Sequence, residues 1–161
     1  MPEQSDLDIS YLRMAEIWAS LSKAKRKKVG CLIVKNGSII SDGYNGTPSG
    51  FDNACEVVSS IDMCKMEVDY DGNYVKGTFK LTTKPEVLHA ESNAITKLAK
   101  STQSSDGATM YITISPCLEC SKLIIQSGIR RLVFGEFYRS QEGINLLKKA
   151  NIEVVNYVCS I

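Results

Sequence analysis

The chain has 161 residues, enough for one domain that buries about two-thirds of its unfolded surface. A composition 43% hydrophobic and 23% charged excludes the disordered class, which combines low hydrophobicity with high net charge. With 19 basic and 18 acidic residues the net charge is +1; this argues against a polynucleotide partner, which needs a broad positive field, and favours a small anionic one.

The amino terminus, MPEQSDLDIS, is acidic and polar, and no apolar run approaches the roughly 18 residues of a membrane span. The expectation is a cytoplasmic protein, neither exported nor membrane-spanning. From about Leu7 to Leu21, Ile9, Leu12, Ala15, Trp18 and Ala19 fall near helical spacing, which predicts an amphipathic helix packed on a sheet. Val29 to Val34 and Ser38 to Ser41 are β-rich runs joined by Lys35-Asn36-Gly37, a hairpin signal that makes them antiparallel neighbours. Gly43 to Gly50 (GYNGTPSG) has loop composition. The polar stretch that follows, to Lys84, shows no clear element and reads as an insertion that carries function.

After Pro85, Ala90, Ala94 and Leu98 recur at four-residue spacing with Ile95 beside them, predicting a helix over 86–100. Thr109 to Ile114 reads as a strand, Cys117 to Ser127 as a helix closed by Gly128, and Arg131 to Gly135 as a strand. A helix near Gln141 to Ala150 and a strand from Ile152 to Val158 complete two β-α-β crossovers. The sheet is expected to have five strands, mostly parallel. No repeat, low-complexity tract or linker divides residues 1–161, so a single domain is expected.

Six cysteines in a cytosolic chain read as metal ligands, catalytic groups or buried apolar residues, since the cytosol keeps thiols reduced. Cys31, Cys55, Cys64 and Cys159 are isolated in sequence and are expected to be buried. Cys117 and Cys120 form the one close pair. Together with His89, the sole histidine, they give three soft or borderline donors, the number held by a catalytic zinc that keeps a fourth position open. Residues three apart on a helix share a face, so Cys117 and Cys120 can grip one ion, and a helix N-terminus favours their thiolates. His89 and Glu91, two apart, would diverge in mid-helix and converge only if the first turn brings both to the metal. Glu91, outside the donor set, is placed to carry protons as the catalytic residue.

HAE and PCLEC, separated by 24 residues and each opening a predicted helix, match the HxE and PCxxC signature of zinc deaminases. The likeness extends further. VGCLIVKNGSIISDGYNGTPSG, HAESNAI, GATMYITISPCLECSKLIIQSGIRRLVF and Tyr138 together resemble the cytidine and deoxycytidylate deaminase family, with the GYNG loop marking its deoxycytidylate branch, in cellular and phage versions. The resemblance spans about nine-tenths of the chain and implies an α/β fold, a three-layer sandwich whose five-stranded mixed sheet is flanked by helices. It also implies one catalytic Zn2+ per subunit and deamination of dCMP to dUMP for thymidylate synthesis.

By the same resemblance, Asn45 binds the sugar 3′-hydroxyl, Ala90 and Ser115 contact the base through backbone groups, and Arg26 and Tyr138 hold the phosphate. Read as residues alone, Asn45 is equally a turn residue, Arg26 part of the solvated run Lys25-Arg26-Lys27-Lys28, and Tyr138 a sheet-edge aromatic. The resemblance further implies a homo-oligomer, a hexamer in many relatives, with dCTP and dTTP as effectors and Mg2+ accompanying the nucleotide. Lys100 stands where relatives carry a basic residue tied to that regulation. Some phage relatives hold an additional structural zinc through a further histidine; with His89 already engaged, one zinc is expected here. Asp69-Tyr70-Asp71-Gly72-Asn73 resembles the start of a calcium loop, but Lys80 falls where its closing glutamate belongs, so it reads as a surface turn. The rival readings are a deaminase of free cytidine or of tRNA adenosine, and a zinc-stabilised binding module without catalysis.

Overall fold

In the computed structural model, residues 2–68, 71 and 74–157 are described, with the side chains of 60–68 and 74–79 left aside. The first helix, α1 (Gln4–Ser20), lays Leu12 and Ala15 on a sheet, with Tyr11, Met14 and Trp18 packed beside them. Strands β1 (Gly30–Lys35) and β2 (Ser38–Tyr44) pair antiparallel. Asn36 and Gly37 both take positive φ, 51° and 73°, as a tight hairpin turn between right-twisted strands requires.

The insertion differs from expectation. It contains two long antiparallel strands, β3 (Glu56–Val68) and β4 (Tyr74–Thr83), which form a separate two-stranded sheet. Polar residues such as Ser59, Ser60, Asp62 and Lys65 interrupt the apolar positions there, so no strand period stands out. The calcium-like stretch falls between these strands; Asp71 is in an exposed turn, and its four companions lie outside the described residues.

The next helix is shorter than expected: α2 covers Ala90–Leu98, not 86–100. Residues ahead of it are held extended because Gly46 and Leu88 exchange two backbone hydrogen bonds of 2.9 and 3.1 Å, which compete with a helical turn. Lys100 lies past the end of α2 and is exposed. The remaining elements are β5 (Thr109–Ile114), α3 (Leu118–Gln126), β6 (Arg131–Glu136), α4 (Glu142–Lys149) and β7 (Glu153–Asn156).

The five-stranded sheet has the order β2-β1-β5-β6-β7. It is mixed and mostly parallel: β2, β5, β6 and β7 share one direction, and β1 alone is antiparallel to both its neighbours. The cause is the route taken by α2, which carries the chain from β2 across β1 into β5, leaving β2 and β5 alike opposed to the strand between them.

Period-two alternation sends each strand's residues to opposite faces. Cys31, Ile33, Met110, Ile112, Leu132 and Phe134 join α2, α3 and α4 in one core cluster; Leu32, Val34, Tyr111 and Val133 join α1 in the other. The result is three layers, with α1 alone on one side. Cys31 and Cys55 are buried as expected, whereas the side chains of Cys64 and Cys159 lie outside the described residues.

Gly43 seats α2. A Cβ there would fall on the Ala90 carbonyl oxygen and within 2.7 Å of the Ala94 nitrogen, so β2 and α2 touch backbone to backbone. Gly43→Ala is expected to lower stability by about 1 to 3 kcal/mol, as overpacking does. It should also displace His89, which begins the same helix. Thermal melts and zinc content measured on one preparation test both effects.

Candidate metal centre and its cavity

His89 and Cys117 occupy equivalent positions: each is the extended residue capping a helix, with ψ of 157° and 170°. An N-cap side chain turns back over the first helical turn, toward the third residue within the helix. Cys120 holds that position on α3. The cysteines therefore meet as cap and first-turn residue, not as two residues of one helical face. The same geometry removes the difficulty with His89 and Glu91, because an extended cap is not bound by helical periodicity.

The three donor atoms lie within 4.8 Å of one another. The His89 Nδ1 atom is 3.6 Å from Cys117 Sγ and 3.3 Å from Cys120 Sγ. Tetrahedral zinc, with bonds of about 2.3 Å to sulfur and 2.0 Å to nitrogen, would separate such donors by roughly 3.5 to 3.8 Å. The donor set fits zinc in number, softness and spacing.

Hydrogen bonds from Cys120 and then from the His89 ring hold the Cys117 thiol down at about 3. Cys120, the donor to that thiolate and largely buried, is pushed up, and His89 is raised chiefly by its bond to Cys117. The positive ends of two helix dipoles converge here, which further favours sulfur anions. Glu91 is 3% exposed, and burial raises its carboxyl above the ordinary range against the opposing effects of its own amide and His89.

His89, Glu91 and Cys117 line a cavity of about 430 Å³. Asn45, Arg26, Ala90, Ser115 and Tyr138 all line it. Asn45 accepts the Val29 N–H at 2.8 Å and donates to the Lys27 carbonyl at 2.9 Å, so part of its amide ties down the preceding loop. Ser115 is buried and its hydroxyl accepts the Tyr138 N–H at 2.7 Å. Tyr138 is 41% exposed, so it is not a buried sheet-edge residue, and the Arg139 guanidinium lies 5.9 Å from its ring centroid.

Sequence reading passed over Lys27, Glu56, Thr83, Glu136 and Arg139, all of which line the cavity. Lys27 and Glu136 form an ion pair at 2.7 Å. Arg139 was signalled only by its place beside Tyr138, while Glu56 and Thr83 were hidden in the insertion. Among the described residues, neither Arg26 nor Arg139 pairs with a carboxylate.

A sulfur-rich donor triad that keeps one coordination position free, with a buried non-ligating glutamate two residues from its histidine, has a narrow use in proteins: it serves the zinc-dependent nucleobase deaminases. The sequence model of the cytidine and deoxycytidylate deaminase zinc-binding region matches residues 5–136, and the chain belongs to that family. Deoxycytidylate deaminase of Enterobacteria phage T4 is 37% identical over 179 residues, covering 97% of this chain and 90% of that protein. The dCMP deaminase of cyanophage S-TIM5, solved in complex with dCMP and dUMP, is 39% identical. It superposes with a TM-score of 0.79 over 97% of this chain and all of its own. A solved tRNA:A34 deaminase, 18% identical with a TM-score of 0.55, covers 92% of this chain and 98% of its own; it shares the fold alone.

Proposed function

We propose that the protein hydrolyses dCMP to dUMP and ammonia, feeding thymidylate synthesis. One observation carries this reading: His89 and Cys117, whose donor atoms converge with that of Cys120, line one cavity together with buried Glu91 and with two guanidiniums free of carboxylate partners among the described residues. Kinship with deaminases named for dCMP supports it.

His89 through Nδ1, with Cys117 and Cys120, would hold one zinc per subunit. When bound, zinc supplies the Lewis acidity that makes water a nucleophile near neutral pH. Glu91 takes a proton from the attacking water and delivers it to N3 of the pyrimidine as C4 is attacked. It then carries the proton of the hydroxyl added at C4 to the amino group, which departs as ammonia while C4 becomes a carbonyl. A carboxyl raised by burial suits both duties, because it accepts and releases a proton closer to neutrality than an exposed one. Ala90 and Ser115 contact the base through backbone groups. Asn45 offers the 3′-hydroxyl its remaining Nδ2 hydrogen and Oδ1 lone pair. Arg26 and Tyr138 hold the phosphate, for which a guanidinium provides two parallel donors.

Arg26→Ala tests the substrate. Losing a charged phosphate contact is expected to raise KM for dCMP at least about tenfold. Turnover of deoxycytidine, which has no phosphate, should stay as it is. An unchanged KM for dCMP would favour a free-nucleoside enzyme.

Residues 1–161 act as one deaminase domain, in keeping with core clusters on both faces of a single sheet. A cytoplasmic location, in the host if the protein is phage-encoded, is in keeping with described residues that include no helix long and apolar enough to cross a membrane. Hexamer formation and control by dCTP and dTTP with Mg2+ rest on the family resemblance, and native mass measured with and without these nucleotides tests them.

A further inference from the structure

We propose that Glu56 and Thr83, the cross-strand pair at the root of the β3–β4 hairpin, are positioning residues for Arg26 and thereby set the preference for a phosphorylated substrate. The inference rests on the reading of Arg26 as the phosphate ligand. The two residues stand directly opposite each other in the hairpin register, and both line the cavity. They hold Arg26 from its two ends. The Glu56 carboxylate accepts the backbone N–H groups of Lys25 (3.0 and 3.1 Å, one to each oxygen) and Arg26 (3.1 Å). Thr83 Oγ1 accepts from Arg26 Nη1 at 3.1 Å.

The segment between α1 and β1 that carries Arg26 has no helix or strand of its own, and Arg26 is exposed. A long side chain on such a loop samples many rotamers and reaches a phosphate only at an entropic cost. Two acceptors on one strand pair remove much of that freedom before substrate arrives. The root itself is fixed: Cys55 is buried, and its carbonyl accepts the Lys84 N–H at 2.9 Å. The neighbouring residues of the loop are tied elsewhere, Lys27 by Glu136 at 2.7 Å and Val29 by Asn45 at 2.8 Å.

The chemistry of the two contacts matters as much as their placement. The negative charge of Glu56 is directed at backbone amides and not at the guanidinium, so it orders the loop without neutralising the cation. Thr83, an uncharged acceptor, takes one nitrogen of the guanidinium. The other two nitrogens have no protein acceptor among the described residues and are left for an anion.

The test compares steady-state kinetics of the zinc-loaded full chain on dCMP and on deoxycytidine. Thr83→Val is expected to raise KM for dCMP about tenfold, the effect of losing one hydrogen bond to a charged group, and Glu56→Ala, which releases two backbone N–H groups, by at least as much, with kcat little changed in either. Neither should alter KM for deoxycytidine, and Thr83→Ser, which keeps the hydroxyl, should restore the dCMP value. Adding Glu56→Ala to Arg26→Ala should have no further effect on KM for dCMP, because a positioning residue acts only through the group it positions. If Glu56→Ala fails to fold, Thr83→Val carries the same test alone.

Equal losses on both substrates, or full additivity with Arg26→Ala, would mean a general structural role and overturn the inference. If Arg26→Ala raises KM for dCMP while Thr83→Val and Glu56→Ala do not, only the positioning role falls; if Arg26→Ala itself leaves dCMP unaffected, the phosphate assignment falls first.

Discussion

Glu91→Ala is expected to lower kcat for dCMP by roughly a thousandfold, within the range that general acid–base groups contribute. Zinc content should remain at one ion per chain. The separation of the two effects follows from the geometry. The donor atoms of His89, Cys117 and Cys120 converge closely enough to hold a metal ion, and Glu91 is not in that group. Its carboxyl is buried and raised by that burial, as suits the proton carrier proposed for this site. Glu91→Gln makes the sharper comparison, because it keeps the side chain's size and its place in the cavity lining while removing the proton carrier. Elemental analysis alongside ammonia release reads both quantities. A variant that loses zinc or fails to fold in step with activity would make Glu91 a structural residue and the proposed proton route wrong.

The second large effect concerns stability. Asp8, on α1, is fully buried, and its carboxylate takes two hydrogen bonds of 2.7 Å from the Arg131 guanidinium. Tyr111 donates to it at 2.8 Å and Gln4 at 2.9 Å. Arg131 also pairs with Glu153 at 3.0 Å, so one cluster fastens α1 to β5, β6 and β7. Removing one partner of a buried, fully bonded ion pair leaves the other charge uncompensated, at about 3 to 5 kcal/mol. Asp8→Ala should therefore lower Tm by roughly 6 to 20 °C in a chain of this size.

The same cluster gives a signed pH dependence. Burial alone would raise the Asp8 carboxyl, but its bonds from Arg131, Gln4 and Tyr111 outweigh burial and hold it below the ordinary value of 3.8. A group whose folded value is depressed contributes stability above its unfolded value and loses that contribution as pH falls through the folded one. The native protein should accordingly lose stability below about pH 4. Asp8→Asn, which cannot ionise, should be less stable at pH 7 and lose less on acidification. Parallel acid limbs for the two proteins would remove Asp8 as the cause.

How much of this was legible in the sequence varies by element. The Lys35-Asn36-Gly37 turn was, because its left-handed residues encode it locally. The meeting of His89, Cys117 and Cys120 was too, because HAE and PCLEC pair residue types with few other uses. Less visible was what depends on distant partners. The helix over 86–100 begins four residues late because Leu88 is held by Gly46, and that contact, 42 residues away, is what makes His89 a cap. The antiparallel pairing of β1 with β5 depends on which strand α2 crosses, a choice no local pattern records. Asp8 reads as one more surface acid until Tyr111 and Arg131, 103 and 123 residues on, are brought to it. Glu56 and Thr83 sit in a stretch too polar to show strand alternation, so the hairpin and its contacts to Arg26 stayed hidden together.

The central claim is tested most directly by ammonia release from purified protein of measured zinc content, supplied in turn with dCMP, CMP, deoxycytidine, dCTP and a tRNA anticodon stem. Turnover of dCMP well above all the others is the expected result. Preference for deoxycytidine or the tRNA stem would move the activity elsewhere in the superfamily, and no turnover of any of them with zinc fully bound would contradict the account and leave a zinc-stabilised binding module.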